Sequence, residues 1–290
     1  LMHNLEGITF LTFVRIDNQE RADNLKAMHS YYRNTCDNYT HIIIEEDSES
    51  KIPDILELDP DNDKYIFQKN DKEWRKCIAY NKGIMLSETN IINLIDTDAI
   101  IHPDFLLEAA DKLRSNQNTA LIYPYNGMFL CTEKSLKEEF CEKLDYECFY
   151  SRLTPVLKKF IAIERHAEQD VRRLLYSKHN GMSVEHLWSK GGCVMGRRDV
   201  LIKCNGYNPN FKGWGYEDDE MPDRAVKLGY NVERLAGEEK ICWHLFHEDG
   251  TGSQKDTQPK YDYNKNLYFK VMNMTDKELK EYITTWTMIN

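Results

Sequence analysis

Four consecutive carboxylates follow a Gly-Trp-Gly turn in the block GWGYEDDE, which covers residues 213–220. Holding like charges so close together is costly, so a cation or a transferable proton is expected beside them. Pro222 stands two residues beyond the block, and proline is tolerated in a helix only near its start. The four acids are therefore expected at a helix N-terminus, where the helix dipole favours negative charge. Capping alone accounts for one or two acids, which leaves the others for chemistry.

The acidic block has the groups that a hydroxyl-activating site needs. One carboxylate could take a proton from an acceptor hydroxyl while a neighbouring carboxylate holds a second hydroxyl. Trp214 offers an apolar face on which a sugar ring could stack, and it is equally compatible with a place in the hydrophobic core.

A second acidic motif, IINLIDTDAII, covers residues 91–101. It is expected to be one strand, and alternation along a strand would send Asp96 and Asp98 to the same side. Two carboxylates at a strand tip suit Mg²⁺ or Mn²⁺, ions that also take oxygen ligands from a diphosphate. One of the two could instead accept hydrogen bonds from a ribose. A D-x-D triplet is a weak signal when it stands alone.

Two histidines, His244 and His247, follow the strand-like stretch Ile241-Cys242-Trp243. An imidazole from this element could complete the coordination of a cation held by Asp98. The H-E-x-x-H pattern of zinc hydrolases is absent, which disfavours a zinc hydrolase. Together the three motifs indicate a metal-dependent enzyme that acts on a phosphorylated donor.

The elements that must position these residues alternate between strands and helices over the first hundred residues. Strands are predicted at 7–16, 41–47 and 91–101, and helices at 18–34 and 74–87. This alternation predicts an α/β fold with a mostly parallel sheet that is covered on both faces. Ligands of such sheets gather at the carboxyl ends of the strands, where Asp47 and Asp96 are expected to meet in one crevice.

The remaining elements complete one catalytic domain. A strand is predicted at 120–130, charged amphipathic helices at 132–178, a helix ended by Gly229, and a closing helix capped at Thr275. The expected organisation is a nucleotide-binding half, a helical insertion, an acceptor and catalytic half, and a helical tail, at 1–130, 131–180, 181–250 and 251–290.

Composition excludes several classes of function. The chain has 290 residues, a formal net charge of −10, 41% hydrophobic and 30% charged residues. The negative charge disfavours binding to nucleic acid or to an anionic membrane. No stretch approaches the ~20 apolar residues of a membrane span. None of the eight cysteines forms a C-x-x-C pair, so a reduced, cytoplasmic protein is expected.

The motifs in their order along the chain resemble those of a known fold family. A strand ending in FVRID, a strand ending in EED, the INLIDTD strand, SKGGC, NGYNPNFKGWGYEDDE and a late H-x-x-H follow one another. This order resembles glycosyltransferases of the GT-A fold, which have a Rossmann-like sheet flanked by helices. The chain is similar to the β-1,4-galactosyltransferase family and to the catalytic domains of bacterial chondroitin-type polymerases, over roughly residues 7–250.

The resemblance implies an inverting transfer from a nucleotide-sugar, UDP-linked, to a carbohydrate acceptor, with Mn²⁺ or Mg²⁺ on the diphosphate. It also implies a role in polysaccharide biosynthesis, peripheral to a membrane-bound glycan pathway. By the same resemblance Asp218 is the general base, while Glu217, Asp219 and Trp214 bind the acceptor. The implied donor-binding residues are Arg15, Asp47, Arg75, Lys76, Asp96, Gly191 and Gly192, and the implied metal ligands are Asp98 with His247 or His244.

The late metal motif departs from that family, which pairs Met with His where this chain has two histidines. Galactose is therefore not implied as the donor sugar, and the helical stretch at 132–178 could form a different acceptor pocket. Three alternatives stay open at this point. They are a retaining transferase of the same fold, a non-catalytic sugar- or nucleotide-binding module, and a metal-dependent phosphodiesterase or nucleotidyltransferase.

Overall fold

The computed structural model of the chain describes residues 2–153, 182–186, 188–248 and 258–288, with backbone only at 182–186. The second helix predicted within 132–178 lies outside these residues. The strands are β1 His3–Asn4, β2 Ile8–Val14, β3 Cys36–Asp37, β4 Thr40–Asp47, β5 Asp63–Lys69, β6 Ile91–Ile95, β7 Ala99–Ile100, β8 Thr119–Tyr123, β9 Phe129–Thr132, β10 Met182–His186, β11 Cys193–Arg197, β12 Asn231–Arg234 and β13 Cys242–His244. The helices are α1 Gln19–Thr35, α2 Ile52–Ile55, α3 Lys76–Leu86, α4 Pro103–Ser115, α5 Lys134–Lys143, α6 Glu147–Tyr150, α7 Arg198–Lys203, α8 Glu217–Lys227, α9 Gln258–Met272 and α10 Asp276–Tyr282.

A central seven-stranded sheet has the order β12-β8-β11-β6-β2-β4-β5. Its neighbouring strands are parallel, except that β11 runs antiparallel to both β6 and β8. Strands β2 and β6 are buried along their whole length, as expected for unbroken apolar runs in a sheet covered on both faces. The predicted α/β class, a mostly parallel sheet flanked by helices, is confirmed.

A smaller sheet of order β10-β9-β13-β7 lies beside the aspartate motif, and it corrects the strand predicted at 91–101. That strand ends at Ile95, the chain turns through Asp96–Asp98, and β7 then pairs with β13. Strand alternation therefore does not position the two aspartates, because neither residue belongs to a strand. The strand predicted at 120–130 is likewise two strands, β8 and β9, in different sheets.

Several helix limits follow their sequence signals, whereas one strand was missed. Thr275 caps α10 in a reciprocal capping box with Glu278, and Gly229, with a φ of +93°, follows the end of α8. Both features confirm the sequence predictions. Strand β5 was missed because its sequence, DKYIFQK, is mostly polar and the strand is only partly buried at the sheet edge. In the part of the chain that the structure describes, no helix is both long and apolar enough to cross a membrane.

A buried polar cluster lies between α1 and the β4–β5 edge of the central sheet. His29 Nε2 lies 3.0 Å from Asp63 Oδ2, and the His29 and His41 rings stack with centroids 5.7 Å apart. Burial alone would raise the pKa of Asp63, but hydrogen bonds from His29 and a backbone amide lower it to about 2. Burial, aided by His29, lowers the pKa of His41 to about 3. The three ligating atoms lie close enough to hold a metal ion, yet Arg33 already pairs with Asp63.

We expect this cluster to make the fold sensitive to acid. Below its ordinary pKa of 6.5, His41 takes up a proton in the unfolded chain, whereas in the folded chain it stays neutral down to about pH 3. The contribution of His41 to stability is therefore full above pH 6.5 and falls by up to ~1.4 kcal/mol per pH unit below it. Urea titrations at pH 8, 6, 5 and 4 measure this loss. His41→Gln should flatten the slope, whereas His3→Gln, a partly exposed control, should not. An unchanged slope in His41→Gln would contradict the assignment.

Candidate active site

The turn that follows β6 directs Asp96 towards the start of α3. The Asp96 backbone amide donates to the carbonyl of Gly192 at 2.9 Å, which ties the turn to the loop before β11. Asp96 Oδ1 accepts a hydrogen bond from the Tyr80 hydroxyl at 3.2 Å and lies 3.4 Å from Lys76 Nζ. Both partners lie on α3, so the predicted helix holds the first aspartate of the motif in place.

Lys76 joins this aspartate to the acidic block. Its Nζ donates to both carboxylate oxygens of Asp218, at 3.2 and 3.1 Å, and its side chain is only 10% exposed. Burial would lower the pKa of Lys76, but Asp218 and Asp96 outweigh it and raise this pKa well above its usual value. Lys76 therefore stays positively charged between two carboxylates that lie 122 positions apart along the chain.

The acidic block begins helix α8, as its sequence predicts, and Glu217 is the first helical residue. Glu217 is 3% exposed, and its Oε2 has no hydrogen-bond partner among the described residues. Burial and the neighbouring Asp218 raise the pKa of Glu217 to about 8. Burial also raises the pKa of Asp218 above its ordinary value, with Lys76 opposing and Asp96 adding to the shift. Near neutral pH the pair therefore combines a protonated acid with a basic carboxylate.

The other two acids of the block have different partners. Glu220 pairs with Arg224 at 2.7 Å, with both side chains fully buried, and the Arg224 guanidinium also donates to backbone carbonyls before the block. Glu220 therefore anchors the start of α8. Asp219 is half-exposed and lies 3.4 Å from Lys190 Nζ, which also binds Asp223 at 2.8 Å. The four acids thus divide into an anchor, a surface ion pair, and the buried Glu217 beside the half-buried Asp218.

Asp98 and the two late histidines form a second cluster. His244 Nε2 and His247 Nε2 lie 3.4 and 3.3 Å from the same oxygen, Asp98 Oδ2. Burial would raise the pKa of Asp98, but the two imidazoles lower it well below its usual value. The pairing of β13 with β7 creates this arrangement, and the His244 ring stacks on Phe129.

This second cluster suits a divalent cation. One ligand atom from each of its three residues lies within 4.8 Å of the others. One carboxylate and two imidazoles can ligate a divalent transition-metal ion such as Mn²⁺ and leave coordination positions open for further oxygen ligands. The structure therefore brings together all three residues that the sequence indicates as metal ligands.

Of the predicted donor-side residues, Arg15 follows β2, Asp47 ends β4 and Arg75 precedes α3, and each is engaged with its own neighbours. Arg15 donates through Nε to the Glu46 carbonyl at 2.8 Å. Arg75 Nε binds a carboxylate oxygen of Glu46, also at 2.8 Å. Asp47 pairs with Lys51 at 2.9 Å. Burial would raise the pKa of Asp47, but hydrogen bonds from Lys51 and Ser48 lower it. Asp47 and Asp96 were expected to meet in one crevice, but Asp47 contacts Lys51 and Asp96 contacts Lys76. Strand β2 lies between β4 and β6, the strands that lead to these two residues.

A cleft of about 470 Å³ opens beside these residues, at the start of α1, and Ile16, Asp17, Asn18 and Lys51 line part of it. Its lining includes neither the acidic block nor the metal-ligand cluster.

The two glycines before β11 differ in what they contact. A side chain at Gly191 would place its Cβ 3.4 Å from Asp218 Oδ2, so the backbone here lies against the carboxylate. Gly192 has a φ of +81°, and a Cβ there would lie 2.4 Å from the Phe129 ring. The Tyr125 hydroxyl donates to the Gly191 carbonyl at 2.7 Å. Gly192 is therefore required by packing, while Gly191 leaves space next to Asp218.

Trp214 lies on the surface and not in the core, with 59% of the residue exposed. Its ring stacks on Tyr261 of α9, with centroids 6.0 Å apart and an interplanar angle of 21°. The sequence predicts no role for Lys190, Tyr80 or Tyr261. Lys190 stood within the quoted motif SKGGC, and Tyr80 stood on the predicted helix, but no sequence signal connected Tyr261 with the acidic block.

Two family models match the chain. Residues 19–171 match glycosyl transferase family 2, and residues 179–248 match the N-terminal domain of galactosyltransferase. No curated protein sequence matches the chain significantly.

Solved structures resemble the chain at low sequence identity. A mannosyltransferase from Pyrobaculum calidifontis in complex with GDP-Man and Mn²⁺ is 12% identical, with a TM-score of 0.49 over 96% of this chain and 70% of that chain. A mutant Drosophila β-1,4-galactosyltransferase 7 with manganese, UDP-Gal and xylobiose is 13% identical, with a TM-score of 0.45 over 89% and 79%. The catalytic domain of the same Drosophila enzyme with xylobiose is 14% identical, with a TM-score of 0.42 over 92% and 80%.

Proposed function

The chain belongs to glycosyl transferase family 2, and we propose that it is a metal-dependent, inverting member that moves a sugar from a UDP-linked donor to a carbohydrate hydroxyl. One observation carries the proposal. The two carboxylates of a single turn contact two different clusters: Asp98 contacts the histidine pair, and Asp96 contacts Lys76, which in turn holds Asp218. The cation site is thereby connected to Asp218 through the backbone of residues 96–98 and the Lys76 ammonium.

In this proposal Asp98, His244 and His247 would hold the metal ion. A bound Mn²⁺ would offset the negative charge on the diphosphate as it leaves. The three side chains fit this task because they are already grouped around one carboxylate oxygen. Asp96, on the same turn, is placed to accept hydrogen bonds from the donor.

Asp218 acts as the general base. The acceptor oxygen forms a bond to the anomeric carbon, the bond from that carbon to the diphosphate oxygen breaks, and the hydroxyl proton passes to the Asp218 carboxylate. Attack from the face opposite the leaving group inverts the configuration. A base that works near neutral pH needs a raised pKa, which burial gives to Asp218. Glu217, with an unpaired buried oxygen, is placed to hold a second acceptor hydroxyl.

The donor is assigned to the UDP class because the acidic block resembles that of β-1,4-galactosyltransferases. The match of residues 179–248 to a galactosyltransferase domain supports this assignment. The cleft lined by Ile16, Asp17 and Lys51 is the place proposed for the nucleoside, because nucleotides of α/β sheets bind at the carboxyl ends of the strands.

The proposal is tested by nucleotide release. UDP-glucose, UDP-galactose, their N-acetylated amino-sugar counterparts and GDP-mannose are incubated with Mn²⁺ and a panel of methyl glycosides, and the released nucleotide is measured. We expect release from a UDP-sugar that depends on a glycoside, and a product of inverted anomeric configuration by NMR. GDP-mannose serves as the control donor. Retention of configuration would remove the inverting step, and release without any glycoside would indicate a hydrolase.

A further inference from the structure

Helix α9 lies outside both segments that match a family model, 19–171 and 179–248, yet it packs directly on the loop that leads into the acidic block. The ring of Tyr261, in the first turn of α9, stacks on Trp214. Gly215 has a φ of +107°, and a Cβ at this position would lie 2.9 Å from the Tyr261 ring. The second glycine of the Gly-Trp-Gly turn therefore makes room for Tyr261.

A buried asparagine fixes the backbone on either side of the tryptophan. Asn264 is fully buried, and its Nδ2 donates to the carbonyls of Lys212 at 2.9 Å and Trp214 at 3.3 Å. Its Oδ1 accepts from the Lys212 amide at 2.9 Å. The Tyr268 hydroxyl, further along α9, binds Asp223 of α8 at 2.7 Å. The loop and both helices are therefore held in one arrangement.

In this arrangement the Trp214 ring is exposed to solvent. Trp214 is 59% exposed, so its ring gains little from hydrophobic burial. Burial of the ring therefore does not explain why the buried Asn264 side chain holds the backbone at this position. Rings that are held rigid and exposed have an apolar face available for a ligand, and the apolar face of a pyranose ring is the matching surface in a carbohydrate. Trp214 stands four positions before Asp218, in the loop that leads into the proposed base.

We propose that Tyr261 of α9 and Trp214 form one aromatic platform that binds a pyranose ring of the acceptor, which makes α9 part of the acceptor site. This inference rests on the proposed function. Tyr261 supports the Trp214 ring from its stacked side and widens the apolar surface. Acceptor choice is thus set in part by a segment beyond the residues that the family models match.

The test compares two tyrosines on the same helix. Tyr261→Ala removes the stacked ring, while Tyr263→Ala, the control, removes a ring that is 43% exposed and lies under Lys212. Methyl β-glycosides of glucose, galactose, xylose, N-acetylglucosamine and N-acetylgalactosamine are titrated by saturation-transfer NMR in the presence of UDP and Mn²⁺. We expect Tyr261→Ala to weaken glycoside binding about tenfold, in line with the worth of an aromatic pair. Tyr261→Phe and Tyr263→Ala should bind within about twofold of the unmodified chain.

The outcomes separate this inference from the proposed function. UDP affinity in the presence of Mn²⁺ is measured for each variant, and it should stay unchanged in Tyr261→Ala. An equal loss of UDP and glycoside affinity, unchanged glycoside affinity, or no glycoside binding by the unmodified chain would each overturn the platform. Failure of the proposed function shows itself differently, because the unmodified chain would then release no nucleotide from any donor. Melting temperatures of the variants show whether α9 stays docked.

Discussion

Replacing Asp218 by Asn is expected to reduce turnover by about 10²–10⁴-fold, the usual contribution of a general base, while the affinity for UDP with Mn²⁺ stays nearly unchanged. The amide keeps the shape of the side chain but cannot take the proton of the acceptor hydroxyl. Steady-state kinetics and calorimetry measure the two quantities. Asp111→Asn is the matched control, since Asp111 is an exposed surface residue. Near-normal turnover in Asp218→Asn would remove the base assignment.

Asp218 should also determine how activity falls at acidic pH. The base works only when deprotonated, and burial raises the pKa of Asp218 above the ordinary 3.8. The ratio kcat/KM should therefore fall as the pH falls through that raised pKa, and it should be full above it. The residual activity of Asp218→Asn should not show this fall at acidic pH. Lys76 opposes the upward shift through its contacts with both Asp218 oxygens, so its ammonium keeps the base usable at lower pH.

Removing the Asp98 carboxylate should abolish metal-dependent activity. Asp98 is 6% exposed and contacts both histidines. It is the one negatively charged residue of this three-residue cluster, so Asp98→Asn leaves a bound cation with no anionic ligand from the cluster. We expect Mn²⁺ affinity to fall by at least ~10²-fold, more than a supporting hydrogen bond is worth. Electron paramagnetic resonance of Mn²⁺ measures the affinity without any assay of activity. EDTA should inactivate the unmodified chain, and added Mn²⁺ should restore it.

The two histidines are tested in the same way. His244→Ala and His247→Ala should each weaken Mn²⁺ binding, because both imidazoles lie at 3.3–3.4 Å from Asp98 Oδ2. His102→Ala is the control, since His102 lies outside the cluster. Full activity in chelator, or unchanged Mn²⁺ binding in Asp98→Asn, would remove the metal assignment.

The sequence predicted the elements that carry long apolar runs and could not predict where those runs change sheets. The apolar run at 91–101 continues past Asp96, so hydrophobicity alone does not show that β6 ends and β7 begins. That break depends on β13, which pairs with β7 although it stands more than 140 positions later in the chain. Polar β5 was missed for the opposite reason, because an edge strand needs little hydrophobic surface.

The candidate site divides in the same way. The types and order of Asp96, Asp98, His244 and His247 indicated a cation site, and the structure places the last three together. The separate tasks of the four acids were not predictable, because Glu217 and Glu220 are the same residue type. What separates them is the partner: Glu220 pairs with Arg224, one helical turn further along α8. Contacts made by α9 were also beyond reach, since they join residues about fifty positions apart with no shared motif.

The position of β11 has a consequence for how the protein is made. This strand is the only route of hydrogen bonding, within the described sheet, between β6 and β8. A ribosome delivers residues 193–197 long after it has delivered β2, β4, β5 and β6. The nascent chain can therefore form one four-stranded layer early, but β8 must wait with an open edge until β11 arrives. Fragments that stop before residue 193 should expose that edge, associate with one another and require chaperones.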